Sequence, residues 1–586
     1  MSDITARPRI SQEKVWKKYY PAEAQELKIP EHTLYSYMKE LNKDRLDNTA
    51  INYYGAKISY GRLLASIDET ANAFAALGVK PGEQVSFLSV AIPECIAAIY
   101  AVNKLGATAN MIDPRLDKES ICKMIQFSGS RYLVAIDVAF PKVKPIMDEI
   151  KQDLILVQSA NRSLPFIKKV VKSIITKTDV PYSDTVLRWN EFLKKGQGVV
   201  AEEAPYVGDA TAAIAHTGGT TGFPKGVMLT NDGMNCVSLN FQHAGLDARA
   251  GDKFLGIIPV FTSYGIVCGM HMPLTMGFEL VPIPKFVPTT IGKLVKQFRP
   301  NHMISTPAFY ELLMDSKQTR NMDLSFLITM GSGGDTMNEG LEGRLKQFMK
   351  ARNIKYPLAQ GYGMSEVSAA ASFCVNEIFK SASVGIPSVM TTISIFDPET
   401  GAELGYGETG EICITGPTLM KGYYNRPEET ANTLRLHDDG QLWVHSGDVG
   451  YIDEDGFLFI LGRIKRMICR FDGHKVFPVT IESMVSEHEG VRNSCVIGVN
   501  DRGHGQGQYP LILVMFYDDT DKAAACREIY EDVMARCEER GKPVALLAVD
   551  EIPLTGAMKN DSVRLGKEYE TFDYTAWDID SYIKTL

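Results

Sequence analysis

The run His216-Thr-Gly-Gly-Thr-Thr-Gly-Phe-Pro-Lys-Gly-Val holds the densest concentration of chemically useful residues in the 586-residue chain. Its clustered glycines, Gly218, Gly219 and Gly222, let backbone N–H groups approach phosphate oxygens closely. Thr217, Thr220 and Thr221 add hydroxyl donors, and Lys225 supplies positive charge. The pattern is not a Walker A loop, which needs Gly before the Lys and Ser or Thr after it; Lys225 stands between Pro224 and Gly226. A bare glycine-rich turn is the alternative reading, and the threonines with the lysine weigh toward phosphate handling.

The elements that must carry this loop follow from hydrophobic periodicity. Apolar residues 212–215 lead directly into it. Between about residues 49 and 157, short apolar runs alternate with helical patterns: a buried strand at 85–90, a helix at 93–105, the next strand at 107–112. After Ala210 the pattern resumes, with strands expected at 254–260, 279–283 and 303–305. Strand, helix and strand in succession imply βαβ units and a parallel sheet. Residues 385–459 turn to Gly, Thr and short β runs and predict antiparallel strands in a small barrel-like unit. Beyond Arg466 a smaller α+β pattern follows, with a helix at 481–487 and strands at 496–499 and 511–516. The expected division is a large unit, 1–464, and a small one, 465–586.

Residues 159–198 interrupt the βα rhythm as an insertion. Within it Phe166, Ile167, Val170, Val171, Ile174 and Ile175 share one helical face, interleaved with Lys168, Lys169 and Lys172. A basic amphipathic helix over 164–177 could lie on an anionic membrane surface. The ordinary reading, which such surface helices favour, is an inserted helix packed on its own domain with solvated lysines.

Composition narrows the classes. Lys+Arg 62 less Asp+Glu 71 leaves −9, a balance that argues against nucleic acid as the main partner. Hydrophobic residues at 45% and charged residues at 23% are those of a globular chain, excluding disordered and collagen-like ones. The ten cysteines include no CxxC pair, so zinc ribbons and redox motifs are not expected; free thiols in a reducing cytosol are. The charged first twenty residues lack the apolar core of a signal peptide. The longest apolar stretch, 91–102, is too short to cross a bilayer and contains Glu94. The expected setting is cytoplasmic, with peripheral membrane contact left to the basic helix.

The phosphate loop resembles that of the adenylate-forming superfamily of acyl-CoA synthetases, luciferases and peptide-synthetase adenylation domains. Further motifs resemble the family's in its own order: Gln360-Gly-Tyr-Gly-Met-Ser-Glu, the stretch from Trp443 to Asp448, Gly462-Arg-Ile-Lys, Gly473-His-Lys-Val-Phe-Pro, and Pro553-Leu-Thr-Gly-Ala-Met-Lys. The resemblance runs from about residue 49 to 564 and is closest to fatty acyl-CoA synthetases. It implies an α/β fold with a large domain of parallel-sheet subdomains and a mobile α+β C-terminal domain.

It also implies a reaction and a set of roles. A carboxylate attacks the α-phosphorus of ATP to leave an acyl-adenylate, and coenzyme A then takes the acyl group. Thr217, Thr220, Thr221 and Lys225 would contact the β- and γ-phosphates. Ser365 would hydrogen-bond the α-phosphate and Glu366 would bind Mg²⁺, which suits one carboxylate plus phosphate oxygens and water. Tyr362 would stack on adenine, with Gln360, Gly361, Gly334, Asp335 and Thr336 about the same pocket. Asp448 would accept the ribose hydroxyls, assisted by Arg463. Lys559 would be the catalytic lysine of the first half-reaction, and Lys465 the hinge. Phe261, Thr262 and Gly333 would line the acyl pocket. Departures are Gly218 in place of the commoner Ser or Thr, Met558 for Gly before the catalytic lysine, Thr262 for a His, and Cys469 in a lengthened second-step segment.

The functions expected are therefore an AMP-forming carboxylate–CoA ligase for a medium- or long-chain fatty acid, an aryl-CoA ligase, or an acyl-AMP ligase loading a carrier-protein thiol. A catalytically dead lipid or nucleotide sensor is the non-enzymatic alternative. His216, His445 and His474 read as satisfied polar residues beside the cleft.

Overall fold

A computed structural model describes residues 9–165, 178–217, 224–335, 337–553 and 560–586. Two large sheets organise the first part. One has eight strands in the spatial order Gly422–Tyr423, Gly226–Thr230, Thr211–His216, Thr108–Met111, Gln84–Leu88, Tyr132–Ile136, Leu154–Gln158, Val186–Arg188. From Thr211–His216 onward its neighbours run parallel, and the two strands at the other edge are antiparallel. Tyr132–Ile136 is buried at every position, as a parallel strand covered on both faces must be.

The second sheet has nine strands: Ile386–Pro387, Ser372–Phe373, Ala359–Tyr362, Thr329–Ser332, His302–Ser305, Lys253–Gly256, Glu279–Pro282, Thr49–Tyr53, Ala56–Ser59. Its centre is parallel and both edges are antiparallel. The expected strand at 254–260 stops at Gly256, where the chain leaves the sheet and turns through Pro259 to the short helix Ser263–Ile266.

The helix Pro93–Lys104 is buried along its whole length, including both charged residues. Ser163 Oγ donates to Glu94 Oε1 at 2.6 Å, while Glu94 Oε2 is buried without a hydrogen-bond partner, and Lys104 pairs with Asp68 at 2.7 Å. Among the described residues no helix is long and apolar enough to cross a membrane.

In the 159–198 stretch the βα rhythm resumes. Val186–Arg188 adds an edge strand, and the helix Trp189–Lys195 packs Phe192 on Phe74 with ring centroids 4.8 Å apart. The basic helical face lies outside the described residues.

Next come five antiparallel strands, Thr392–Phe396, Gly410–Thr415, Leu434–Leu436, Leu442–Ile452 and Leu458–Arg463. The N-terminal turn Val15–Tyr19 inserts Trp16 into their apolar face. From Ile468 on, a hairpin and the three-stranded sheet Val491–Asn500, Gln508–Phe516, Ala545–Ala548 pack against the helices Pro478–Ser486 and Lys522–Arg536. The apolar clusters here share no residue with those of the first part. The expected helix at 481–487 begins at Pro478, a residue suited to the first helical position because its missing N–H is not needed there.

Candidate active site

The phosphate-loop motif joins two antiparallel strands, Thr211–His216 and Gly226–Thr230, rather than a strand and a helix. Its neck is pinned by the Thr217 N–H, which donates to the Lys225 carbonyl at 3.0 Å. Gly218, Gly219, Thr220, Thr221 and Gly222 lie outside the described residues, as do Thr336 and Lys559.

Lys225 Nζ stands 4.6 Å from the centre of the Tyr423 ring, and the Tyr423 hydroxyl donates to Glu366 Oε1 at 2.6 Å. One tyrosine therefore links the loop lysine to the candidate magnesium carboxylate. Burial and the adjacent carboxylate push the Tyr423 phenol up, so it stays a donor. Glu366 is buried, with one oxygen held by Tyr423. A single hard carboxylate set beside hydroxyls fits Mg²⁺, which completes its shell with phosphate oxygens and water.

Ser365 Oγ and Ser263 Oγ lie 2.8 Å apart. The Tyr362 hydroxyl donates to Asp448 Oδ2 at 2.7 Å, and Arg463 Nε reaches Asp448 Oδ1 at 2.9 Å. The antiparallel register sets Asp448 directly opposite Arg463, which fixes that second contact. Burial, and then the Asp448 carboxylate, hold the Tyr362 phenol well above its ordinary pKa. Arg463 is largely exposed, so its ion pair orients Asp448 more than it stabilises the fold.

Beneath these groups opens a cavity of about 250 Å³. Gly333, Gly334, Gly361, Tyr362 and Ser365 border it. Phe261 and Thr262 do not line it. Phe261 packs beneath the Arg115 guanidinium, and Thr262 caps the helix Ser263–Ile266 by accepting from the Gly265 N–H. Ser263 and Tyr264 line it instead. A Thr before a short helix is a cap signal, and that signal was open to reading.

Gln360 also departs from expectation: its side chain donates to Glu342 Oε2 at 2.8 Å and is buried in a network with Ser381. That bond ties its strand to the helix Glu339–Ala351. Asp335 is exposed, and its charge acts on Arg466, just beyond the candidate hinge. Lys465 lies exposed in the turn Ile464–Arg466. Across this junction Tyr517 donates to Glu311 at 3.2 Å, and Lys475 pairs with Glu399 at 2.9 Å.

Of the neighbouring histidines, His216 has Nε2 2.8 Å from Asn110 Oδ1 but its buried Nδ1 makes no hydrogen bond, short of the satisfied residue expected, and His445 Nδ1 lies 2.8 Å from Glu411. His474 Nε2 lies 2.8 Å from Glu538. The ten cysteines are free, and only Cys469 is exposed.

The family model for AMP-binding enzymes matches residues 39–424, and the model for the AMP-binding enzyme C-terminal domain matches 480–559. The long-chain-fatty-acid–CoA ligase of Bacillus subtilis is 31% identical over 85% of this chain and 88% of that protein. The 4-coumarate–CoA ligase 1 of Arabidopsis thaliana is 27% identical over 77% and 78%. Among solved structures, an anthranilate CoA ligase in complex with anthranoyl-AMP superposes with a TM-score of 0.79 at 20% identity, covering 94% of this chain and 99% of that one. A Mycobacterium tuberculosis fatty acyl CoA synthetase superposes with a TM-score of 0.66 at 23% identity, covering 92% and 98%. The chain belongs to the AMP-binding, adenylate-forming family of acid–thiol ligases, whose substrates include ATP and coenzyme A.

Proposed function

We propose that this enzyme activates a fatty acid as its adenylate and passes the acyl group to coenzyme A. The observation that carries this reading is a polar head on an apolar body. Ser263 and Ser365 line a cavity whose other lining is rich in Phe, Met, Ile and Gly, and Glu366, the residue after Ser365, continues through Tyr423 to Lys225. A carboxylate with a hydrophobic tail matches that polarity, and the Bacillus subtilis relative is named for such acids.

In the first step a carboxylate oxygen forms the bond to the α-phosphorus while the bond to pyrophosphate breaks. Catalysis of this kind is positioning plus electrostatics. Thr217 and Lys225 hold the outer phosphates, Ser365 the α-phosphate, and Tyr362, Asp448 and Arg463 the nucleoside. Glu366 would hold Mg²⁺, which when bound would supply neutralising charge. Lys559 bridges the carboxylate and the α-phosphate. The C-terminal region, 465–586, then turns about Lys465 so that the thiol can attack the acyl carbonyl and release AMP.

The test is ATP-dependent pyrophosphate release over a carboxylate panel, with and without coenzyme A. Turnover that requires coenzyme A is expected. Release indifferent to coenzyme A would point to a carrier-protein thiol, and silence with every acid would leave the sensor reading.

A further inference from the structure

The acyl cavity has two walls whose construction measures it. On the sheet side three adjacent strands line it, with His302 and Ile304, then Thr329, Gly331 and Gly333, then Ala359 and Gly361, and with Met303, Ser332 and Tyr362 between them. This wall is flat because most of its residues lack bulk. A Cβ on Gly331 would lie 2.9 Å from Ile304 Cγ2, and one on Gly333 would lie 3.4 Å from the Tyr264 hydroxyl.

The facing wall is a single helical stripe, Tyr264, Cys268, Met272 and Met276, with residues four apart. It runs through the helix Ser263–Ile266, a wider π-turn at Val267–His271, and the helix Met272–Thr275.

Gly333 and Ser365 line the cavity beyond one end of these strands. Toward the other end it is lined by His302, which is 4% exposed and stacked on Phe278 with centroids 4.8 Å apart and planes 8° from parallel. His302 Nε2 lies 3.0 Å from Asp252 Oδ2, and Nδ1 lies 3.0 Å from Thr329 Oγ1. Asp252 is itself held by the Arg249 N–H at 2.8 Å. With both nitrogens engaged, the imidazole is a fixed stopper that leaves neither of its nitrogens unpaired for a substrate's polar end.

From Gly333 to Thr329 is four residues of strand, which at about 3.3 Å each is a channel of about 13 Å. An extended chain of single bonds advances about 1.2 Å per bond, a third of the reach of one backbone residue. We propose that His302 is a specificity-determining residue that closes the cavity and limits the acid to a straight medium chain of about eight to twelve carbons with an apolar end. This rests on the ligase reading above and narrows it.

The experiment is pyrophosphate release by the full chain with butanoate, octanoate, decanoate, dodecanoate, hexadecanoate, octadecanoate and 4-coumarate. It is run on the wild type, His302→Ala and Thr329→Leu. The wild type is expected to peak between octanoate and dodecanoate. Removing the stopper in His302→Ala should move the optimum to longer acids and change the hexadecanoate-to-decanoate ratio by at least ~10-fold, the size of one methylene misfit. Thr329→Leu fills the far end and should move the optimum the opposite way, so a poorly folding His302→Ala leaves the idea open to refutation. A wild-type optimum at hexadecanoate, octadecanoate or 4-coumarate would overturn it, as would unchanged profiles in both variants. No release with any acid would instead overturn the ligase reading itself.

Discussion

The Tyr362 hydroxyl and the Asp448 carboxylate are joined by a 2.7 Å hydrogen bond that spans 86 residues of chain. It ties the end of the nine-stranded sheet to the antiparallel unit, so the proposed adenine and ribose contacts form one rigid piece. Tyr362→Phe removes the donor but keeps the ring. The expected result is a KM for ATP raised about tenfold with a smaller change in kcat, the cost of about 1–2 kcal/mol for leaving a buried acceptor short of a partner. Initial rates against ATP concentration check it.

Glu366→Gln keeps the shape of the side chain and removes its charge. Magnesium should bind poorly, lowering turnover about a hundredfold and raising the Mg²⁺ needed for half-maximal rate. Titrating Mg²⁺ in a pyrophosphate assay reads both effects. A rate deficit with an unshifted Mg²⁺ dependence would show that Glu366 does not hold the ion.

Lys559→Ala should abolish adenylation while a preformed acyl-adenylate still reacts with coenzyme A. Lys465→Pro should do the reverse, sparing adenylation and slowing thioester formation, because proline stiffens the turn about which the C-terminal region rotates. Separate assays of the two half-reactions distinguish them. Equal loss of both steps in either variant would remove that residue from its role.

His271 is wholly buried, with Nδ1 2.9 Å from the Tyr100 hydroxyl and Nε2 2.9 Å from Asn235 Oδ1. Burial pushes its pKa down from 6.5 to about 3. The folded chain therefore keeps it neutral while the unfolded chain protonates it. Stability is intact above pH 6.5 and is lost as pH falls from there toward about 3. The loss is about 2 kcal/mol at about pH 5. Thermal melts of the wild type and His271→Asn over this range should show a shallower acid slope in the variant, whatever its stability at neutral pH.

What could be read from the chain was what is local in it. The strands that flank the phosphate-loop motif depend on residues adjacent in sequence, and they stand where expected. The partners of Gln360 and Thr262 were not legible in the motifs. For Gln360 the choice falls to Glu342, which arrives from a helix eighteen residues earlier. For Thr262 it falls to the start of a four-residue helix. Tyr423 could not have been found at all. It meets Glu366 only because Gly422–Tyr423 pairs with Gly226–Thr230 at the edge of the other sheet. His302 and Asp252, fifty residues apart, likewise come together only through the pairing of their strands.

The phosphate loop hangs from a hairpin, and this has a consequence for how the nucleotide is held. A loop that opens a helix meets phosphate with a built-in positive pole worth about half a charge. A turn between antiparallel strands has no such pole, since the dipoles of neighbouring strands cancel. If the motif holds phosphate as proposed, countercharge beyond its backbone N–H groups would come from Lys225, braced on an aromatic ring, and from a cation bound with the nucleotide. Free ATP and its magnesium complex should therefore be far from equivalent to this enzyme, and the ionic composition of the medium becomes in effect a second substrate.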